Sequence, residues 1–361
     1  MTGHENTPPT RRAAPHAAGA ARVKITDVAA AAGVHASTVS RVLRGTSDRR
    51  VSPDVADRIR TAAERLGYRP DVIAASLRTR STRSIGAIVH DITDPVYPPI
   101  LRGIETRLLE AGYMMVTGNT GYDPEAEAAM FEQMTSRLVD GVILGTTRLT
   151  DPVVERALAA GVPLVSVLRR TATGECSAVV NDCAAGMHAL AQAIAARGHR
   201  DIAAIAAPQD LSTARERLEG LRAGLAAHGL DLHPERVVFV PRMDAEEGWR
   251  AAQTLLDRRA APPHVIVGVN DLVAIGALQA CQARGLACPS DISITGYNDI
   301  PLVDLIDPPL TTVTMDLPEI GARSADLLLT HLRDPATEPT LVRVRPELKL
   351  RASLGAAPSR P

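Results

Sequence analysis

From Ser84 onward, short apolar runs alternate with amphipathic stretches, and that alternation restricts the fold more than any other feature of the chain. The runs are residues 85–89, 113–117, 141–144, 163–167, 178–180, 202–206, 237–240, 265–269, 292–296 and 312–315. Between most of them lie stretches with helical periodicity, at 99–111, 124–137, 152–160, 184–197, 214–228, 245–258 and 272–284. Strands that are apolar nearly throughout and separated by helices form parallel sheets covered on both faces. Ten strands are too many for one compact unit of this type, so the pattern predicts two doubly wound subdomains.

Residues 24–43 have a different character and predict two short helices about a tight turn. Thr26 is placed to cap the first helix, whose Val28, Ala29 and Ala32 share a face. Gly33 supplies the left-handed residue that ends it, since without a Cβ it turns the chain at little cost. In the second helix Val39, Val42 and Leu43 stand at i, i+3 and i+4 as a buried stripe, leaving Ala36, Ser37, Ser40 and Arg41 outward. Small or polar residues with an arginine suit a helix pressed into a DNA major groove. An ordinary helical hairpin satisfies the same residues equally well. A third helix opens at Ser52, Pro53 and Asp54 as cap, first-turn proline and acid at the positive dipole end. Val55, Ile59, Ala62, Ala63 and Leu66 follow on one face, and Gly67 closes it.

Several spaced segments in one order then carry a resemblance. They are Thr26-Asp27-Val28-Ala29, Ala32-Gly33-Val34, Thr38-Val39-Ser40-Arg41-Val42-Leu43, Gly67-Tyr68-Arg69-Pro70, and Ala74-Ala75-Ser76-Leu77 ahead of Ser84-Ile85-Gly86. Together they resemble the DNA-binding head and hinge of the LacI/GalR family of bacterial transcription regulators. The resemblance implies a disordered tail at 1–22, a helix-turn-helix domain at 23–70 and a hinge helix with linker at 71–83. The head residues it places on DNA are Thr26, Ala36, Ser37, Thr38, Ser40, Arg41, Arg44, Arg50 and Tyr68, with Arg49 beside them; from the hinge come Ala74, Leu77 and Arg78. Leu77 would wedge between central base pairs in the minor groove, typically at a CG step in this family, unstacking a step to bend the duplex. Read without the family, Leu77 is a small packing residue in a linker. His35 departs from the pattern, standing where serine usually caps the recognition helix. Ala36 and Ser37 are smaller than the base-reading side chains many members carry there.

The likeness continues through the body. Asp94-Pro95, Val139-Asp140-Gly141, Arg197-Gly198-His199-Arg200, Ala214-Arg215-Glu216-Arg217-Leu218-Glu219-Gly220, Asn270-Asp271-Leu272 and Gly296-Tyr297-Asn298-Asp299 match the family's periplasmic-binding-protein-like core. The implied layout of this core, 84–351, is a first subdomain at 84–197 and 312–333, a second at 198–311 and 334–351, and a short tail at 352–361. A small-molecule effector, with a sugar as the first expectation, would lie between them at the strand ends. The residues expected there are Asp91, Tyr97, Arg169, Asp182, Thr213, Arg217, Met243, Asn270 and Asn298. Arg217 matches the family's cleft arginine, whose planar fork grips paired hydroxyls or a carboxylate; a surface ion pair on a helix is its alternative. Asp91 and Asp182 equally suit caps of the helices that follow them. Asn298 stands where many relatives have aspartate, Met243 where many have an aromatic, and Leu168 replaces an aspartate common just before Arg169.

Charge and composition agree with that division. Residues 1–83 hold 15 Lys/Arg against 7 Asp/Glu, and the remainder 25 against 34, so phosphate contact belongs to the first part. Cys176, Cys183, Cys281 and Cys288 show no metal-ligand spacing and read as reduced, packed thiols. No metal or cofactor is called for, and no GxSxG, P-loop, HExxH or strand-linked GxGxxG points to an enzyme. No apolar run is long enough to span a membrane, and the first 22 residues lack the apolar core of a signal peptide. The expectation is a cytoplasmic, ligand-responsive repressor that binds a pseudo-palindromic operator as a homodimer, without a leucine-heptad tail for tetramers. The alternative is a small-molecule-binding protein of the solute-binding type, or a regulator that needs a corepressor or activates.

Overall fold

A computed structural model describes residues 23–43, 51–68, 81–258 and 261–358, and the chain falls into two units, Met1–Arg80 and Ser81–Pro361. The first unit contains α1 (Ile25–Ala32), α2 (Ala36–Leu43) and α3 (Pro53–Leu66). Val28, Ala29, Ala32, Val39, Ile59, Ala62 and Ala63 form their shared core, the stripes that the spacing predicts. Gly33 and Gly67 sit at φ 65° and 64° and end α1 and α3. The capping differs from expectation. Helix α1 starts two residues earlier than a Thr26 cap would place it, so Thr26 lies inside its first turn, and Asp27 closes the end by accepting the Lys24 N–H at 2.8 Å. Ser52 holds the N-cap position of α3 without a side-chain bond, leaving Pro53 to start the helix.

The second unit is built on two parallel sheets. Strands β1 (Ser84–Val89), β2 (Met114–Asn119), β3 (Gly141–Leu144), β4 (Leu164–Val167) and β5 (Ser177–Asn181) make most of the first. The second holds β6 (Ile202–Ala206), β7 (Val237–Phe239), β8 (Val265–Gly268) and β9 (Ser293–Thr295), in the order β7-β6-β8-β9. Helices α4 (Tyr97–Glu110), α5 (Pro124–Arg137) and α6 (Pro152–Ala159) belong to the first lobe, and α8 (Ser212–Ala226), α9 (Ala245–Asp257) and α10 (Asp271–Ala283) to the second. The central strands, β3 and β4 of the first sheet and β6 and β8 of the second, are buried along their whole length, as strands covered on two faces must be.

Two segments lie in the other lobe from the one the sequence suggests. Helix α7 (Cys183–Ala196), expected in the first subdomain, packs on α8, where Gly220 and Gly224 let it approach: a Cβ at Gly224 would stand 2.8 Å from the Ala191 Cβ. The first crossing therefore follows Asn181 and not Arg197. Strand β11 (Leu341–Val344), expected in the second subdomain, pairs in parallel with β5 and completes the first sheet, in the order β11-β5-β4-β3-β1-β2. An apolar period shows that a helix or strand is buried but not against which sheet. Helix α11 (Leu317–Arg333) returns to the first lobe as expected and crosses α4.

The three crossings lie side by side. Strand β10 (Thr312–Thr314) pairs antiparallel with β12 (Glu347–Lys349), and the Asp182 N–H donates to Val344 O at 2.9 Å. The crossing of α4 and α11 is closest at Gly103 and Gly321, where a Cβ would overlap the Pro318 and Ile100 carbonyls respectively. Gly103→Ala should cost about 1–3 kcal/mol through forced separation of the two helices. Urea unfolding of the core reads this directly, and an unchanged midpoint would show that the helices part without loss.

Candidate functional site

On the head, Ser37 is exposed, and Ser40, Arg41 and Thr38 are partly so. The Arg41 Nε donates to Ser37 O at 3.3 Å, which lays its guanidinium along the outer face of α2. His35 takes over the cap that its position demands: its Nδ1 accepts the Ser37 N–H at 3.3 Å, an imidazole nitrogen doing what a serine oxygen would. Ala36 and Tyr68 are half-buried against the head core, and Thr26 is exposed. Arg44, Arg49, Arg50, Ala74, Leu77 and Arg78 lie outside the described residues.

The second constellation forms where strands of both sheets end, the place where parallel sheets expose loops and helix N-termini. Asp94, Val96, Tyr97, Leu168 and Arg169 come from the first lobe. Thr213, Arg217, Met243, Asn270 and Asn298 come from the second, and Met315 from the segment that follows the crossing at 312–314. Seven of the nine residues expected in a cleft thus line one. Asp91 and Asp182 do not. Asp91 accepts from the Thr93 N–H at 2.9 Å and its hydroxyl at 2.7 Å, and Asp182 caps α7 through the Ala185 N–H at 3.1 Å. Each carboxylate is spent on the loop that carries it.

Arg217 is the best-held side chain of the cleft. Its guanidinium lies 3.8 Å over the Tyr297 ring, donates to Val269 O at 2.7 Å and to Asn298 Oδ1 at 2.9 Å, and leaves Nε without a partner. Asn298 adopts φ 114°, an uncommon conformation for a residue with a Cβ, and presents its amide oxygen to that arginine. Asn270 is fully engaged: Oδ1 caps α10 through the Val273 N–H, and Nδ2 donates to Met243 O, both at 2.9 Å. It fixes the Met243 loop. Tyr97 is 3 % exposed, with its ring edge against Gly145 and its hydroxyl donating to Gly145 O, so it offers no open stacking face.

Across the cleft, Arg169 donates to His90 Nε2 at 2.7 Å, and the His90 ring stacks on Tyr122 with centroids 4.7 Å apart. Burial, Arg169 and Arg148 together hold the His90 pKa down to about 3, so the imidazole is neutral and its Nε2 is a pure acceptor. The Asp94 carboxyl is pushed up by burial, against the pull of the Val96 N–H and of Arg169 and Arg217. His90 was read from sequence, with Asp91, as cleft lining or capping, whereas Asp94, Leu168, Met315 and Tyr297 were not singled out as ligand-site residues. Asp94 carried a signal, an Asp-Pro pair in a loop after a strand; the others depend on which loops meet. At the rim the lobes are tied by Arg148 with Asp210, by Leu149 N–H to Asp210 O at 2.8 Å, and by Arg170 with Glu216 at 2.8 Å.

Comparison with known proteins follows the same division. Residues 24–71 match the family model described as bacterial regulatory proteins, lacI family, and residues 191–354 match that of a periplasmic binding protein-like domain. The ribose operon repressor of Escherichia coli strain K12 is 32% identical over 330 residues, which is 91% of this chain and 98% of that protein. Among solved structures, the lac repressor dimer bound to operator and the anti-inducer ONPF superposes with a TM-score of 0.83 at 26% identity, covering 93% of this chain and 100% of that one. The complex of transcriptional regulator CelR with cellobiose gives a TM-score of 0.70 at 30% identity, covering 92% and 100%.

The His90 environment makes a pH prediction. Its folded pKa lies below the unfolded value, so the stability tied to its neutrality is complete above pH 6.5 and is lost as pH falls toward about 3. Within that window each pH unit costs about 1.4 kcal/mol. Urea titrations of the unsubstituted protein and His90→Asn between pH 7 and 4.5 should converge as pH falls; curves that stay parallel would show that His90 remains hydrated.

Proposed function

Because the chain belongs to the lacI family of bacterial regulatory proteins, it is a ligand-responsive, DNA-binding transcription regulator, and we propose that it represses genes for the use of a small metabolite. The observation that carries the ligand half is the convergence of Arg169, Thr213, Arg217 and Asn298, from two lobes, on one cleft. The DNA half is carried by a three-helix head whose α2 keeps Ser37 and Arg41 outward.

In this reading the protein acts as a homodimer on a pseudo-palindrome, with two α2 helices in successive major grooves about one helical turn apart. Ser37, Ser40 and Arg41 read or position the half-site, Arg44 and Arg50 meet phosphate, and Leu77 wedges the centre with Arg78 beside it. The relative solved on its operator is a dimer, and an exposed apolar stripe on the edge of the first lobe, Leu109, Met114 and Val116, offers a surface for a second copy. Effector binding favours one arrangement of the lobes, and the paired crossing strands carry that difference through the core. No catalytic step is assigned to the cleft. The reading places the protein in the cytoplasm; among the described residues no helix is long and apolar enough to cross a membrane.

Two experiments test this. Purified protein incubated with fragmented DNA of its own genome should retain fragments sharing a pseudo-palindrome centred on CG, with affinity that falls steeply with salt. Retention of no common sequence, with or without candidate ligands, removes the operator reading. Arg41→Ala should weaken binding to the retained fragment by about 1–3 kcal/mol. Arg217→Ala should abolish the change in operator affinity that an effector produces; a full response in that variant would remove Arg217 from the ligand site.

A further inference from the structure

The charge of the cleft is unbalanced, with two guanidinium groups against one carboxyl. Arg169 and Arg217 are only 5 % and 6 % exposed, and among the described residues neither has a carboxylate within ion-pair distance. Their acceptors are all neutral: the His90 imidazole for Arg169, and for Arg217 the Val269 carbonyl, the Asn298 amide oxygen and, at 3.9 Å, the Met315 sulfur. Buried guanidinium groups left with neutral acceptors are costly to the folded state unless something supplies the counter-charge. Asp94 is the one carboxylate among the lining residues; both arginines act on it, but burial pushes its pKa up and its Oδ1 accepts from the Val96 N–H at 3.1 Å, so it cannot balance two guanidinium groups.

A third positive element points the same way. Helix α8 runs for 15 residues, begins next to Leu211 with no side-chain cap and no acid in its first turn, and brings Thr213 to the cleft wall. Its first amides and its dipole favour an anion. Arg217 lies one turn further along the same helix, with Nε unpartnered and buried. The family pattern often has aspartate where this chain has Asn298, so the substitution removes a negative charge from beside Arg217 and puts in its place an amide that can also donate.

We propose that the effector of this cleft is an anion, a small hydroxylated molecule whose carboxylate or phosphate sits between Arg169, Arg217 and the N-terminus of α8. This rests on the reading of the cleft as the effector site and narrows it to one charge class. Asn298 Nδ2 and the Thr213 hydroxyl then serve the hydroxyl groups of the body. Hydrogen bonds must do most of the recognition, because Tyr97 has no open face and the other walls are Val96, Leu168, Met243 and Met315.

The test uses the full chain, and its first arm requires no ligand. Asn298→Asp installs the missing counter-charge, and Arg169→Gln removes an uncompensated cation while keeping a donor for His90. Without ligand, each should melt about 2–4 °C above the unsubstituted protein, and the gain of Asn298→Asp should vanish in an Arg217→Met background. Both variants melting at or below the unsubstituted protein would overturn the proposal. Calorimetric titration at fixed pH and ionic strength then compares matched probes: D-glucose with D-gluconate and glucose 6-phosphate, and D-ribose with D-ribonate and ribose 5-phosphate. An acid or phosphate should bind at least tenfold tighter than its neutral parent and lose tenfold or more in Asn298→Asp; which of the two does so names the anion. A neutral sugar that binds as tightly as its acid overturns the charge assignment while leaving the regulator intact. Failure to retain any operator, with the melting shifts present, would instead remove the regulator reading and leave an anion-binding protein.

Discussion

The two lobes are one cooperative object because the chain crosses between them three times and the crossings bond to one another. Antiparallel pairing of β10 with β12, together with the Asp182 amide on Val344 O, means that no crossing strand can shift alone. Isolated bridges from Thr295 to Thr311 and from Asn298 to Thr314 attach this ribbon to the second sheet, so a cleft residue, Asn298, is itself part of the hinge. The rim contacts Arg148–Asp210 and Arg170–Glu216 lie on other loops and close the same cleft.

Arg217 shows how the second sheet prepares the cleft before any ligand arrives. Its side chain is fixed from below by the Tyr297 ring and from the side by Val269 O, groups at the ends of β9 and β8. Little rotamer freedom remains to be lost on binding, which is the advantage of a preorganised arginine fork. Asn270 achieves the same for the Met243 loop with both ends of one amide. Rigid parts therefore surround the place where a ligand's polar groups must be matched.

Much of this was legible in the chain and some was not, for identifiable reasons. Strands such as β3 and β6 are apolar throughout and flanked by helical periods, so their positions followed from residue order alone. The head was legible because Gly33 and Gly67 mark helix ends that no other residue closes as cheaply. The lobe assignment of α7 and β11 was not, because it depends on glycines at Gly220 and Gly224 and on a parallel partner 163 residues earlier in the chain, Leu341 opposite Ala178. In the cleft, the family resemblance pointed to Arg217 and Asn298, but residue type could not tell Asp94, which lines it, from Asp91 and Asp182, which serve their own loops. That distinction is one of direction, and a short carboxylate beside free amides turns to them first.

The remaining link is between the cleft and the head, and one carboxylate bears on it. Where the chain leaves the head and enters the core, Asp140 accepts from the Ser81 hydroxyl at 2.5 Å, from the Thr82 amide and hydroxyl at 2.6 and 2.9 Å, and from the Arg83 amide at 3.1 Å. Arg83 takes φ 55° there and lies 5.2 Å over the Tyr113 ring. Four donors on one side chain hold residues 81–83 against the first lobe. Asp140 immediately precedes β3, whose far end leads into the loop carrying Arg148 at the cleft rim. The strand between them is four residues long, fully buried and paired on both sides. Asp140 and the loop that carries Arg148 are therefore joined by a single short, buried strand.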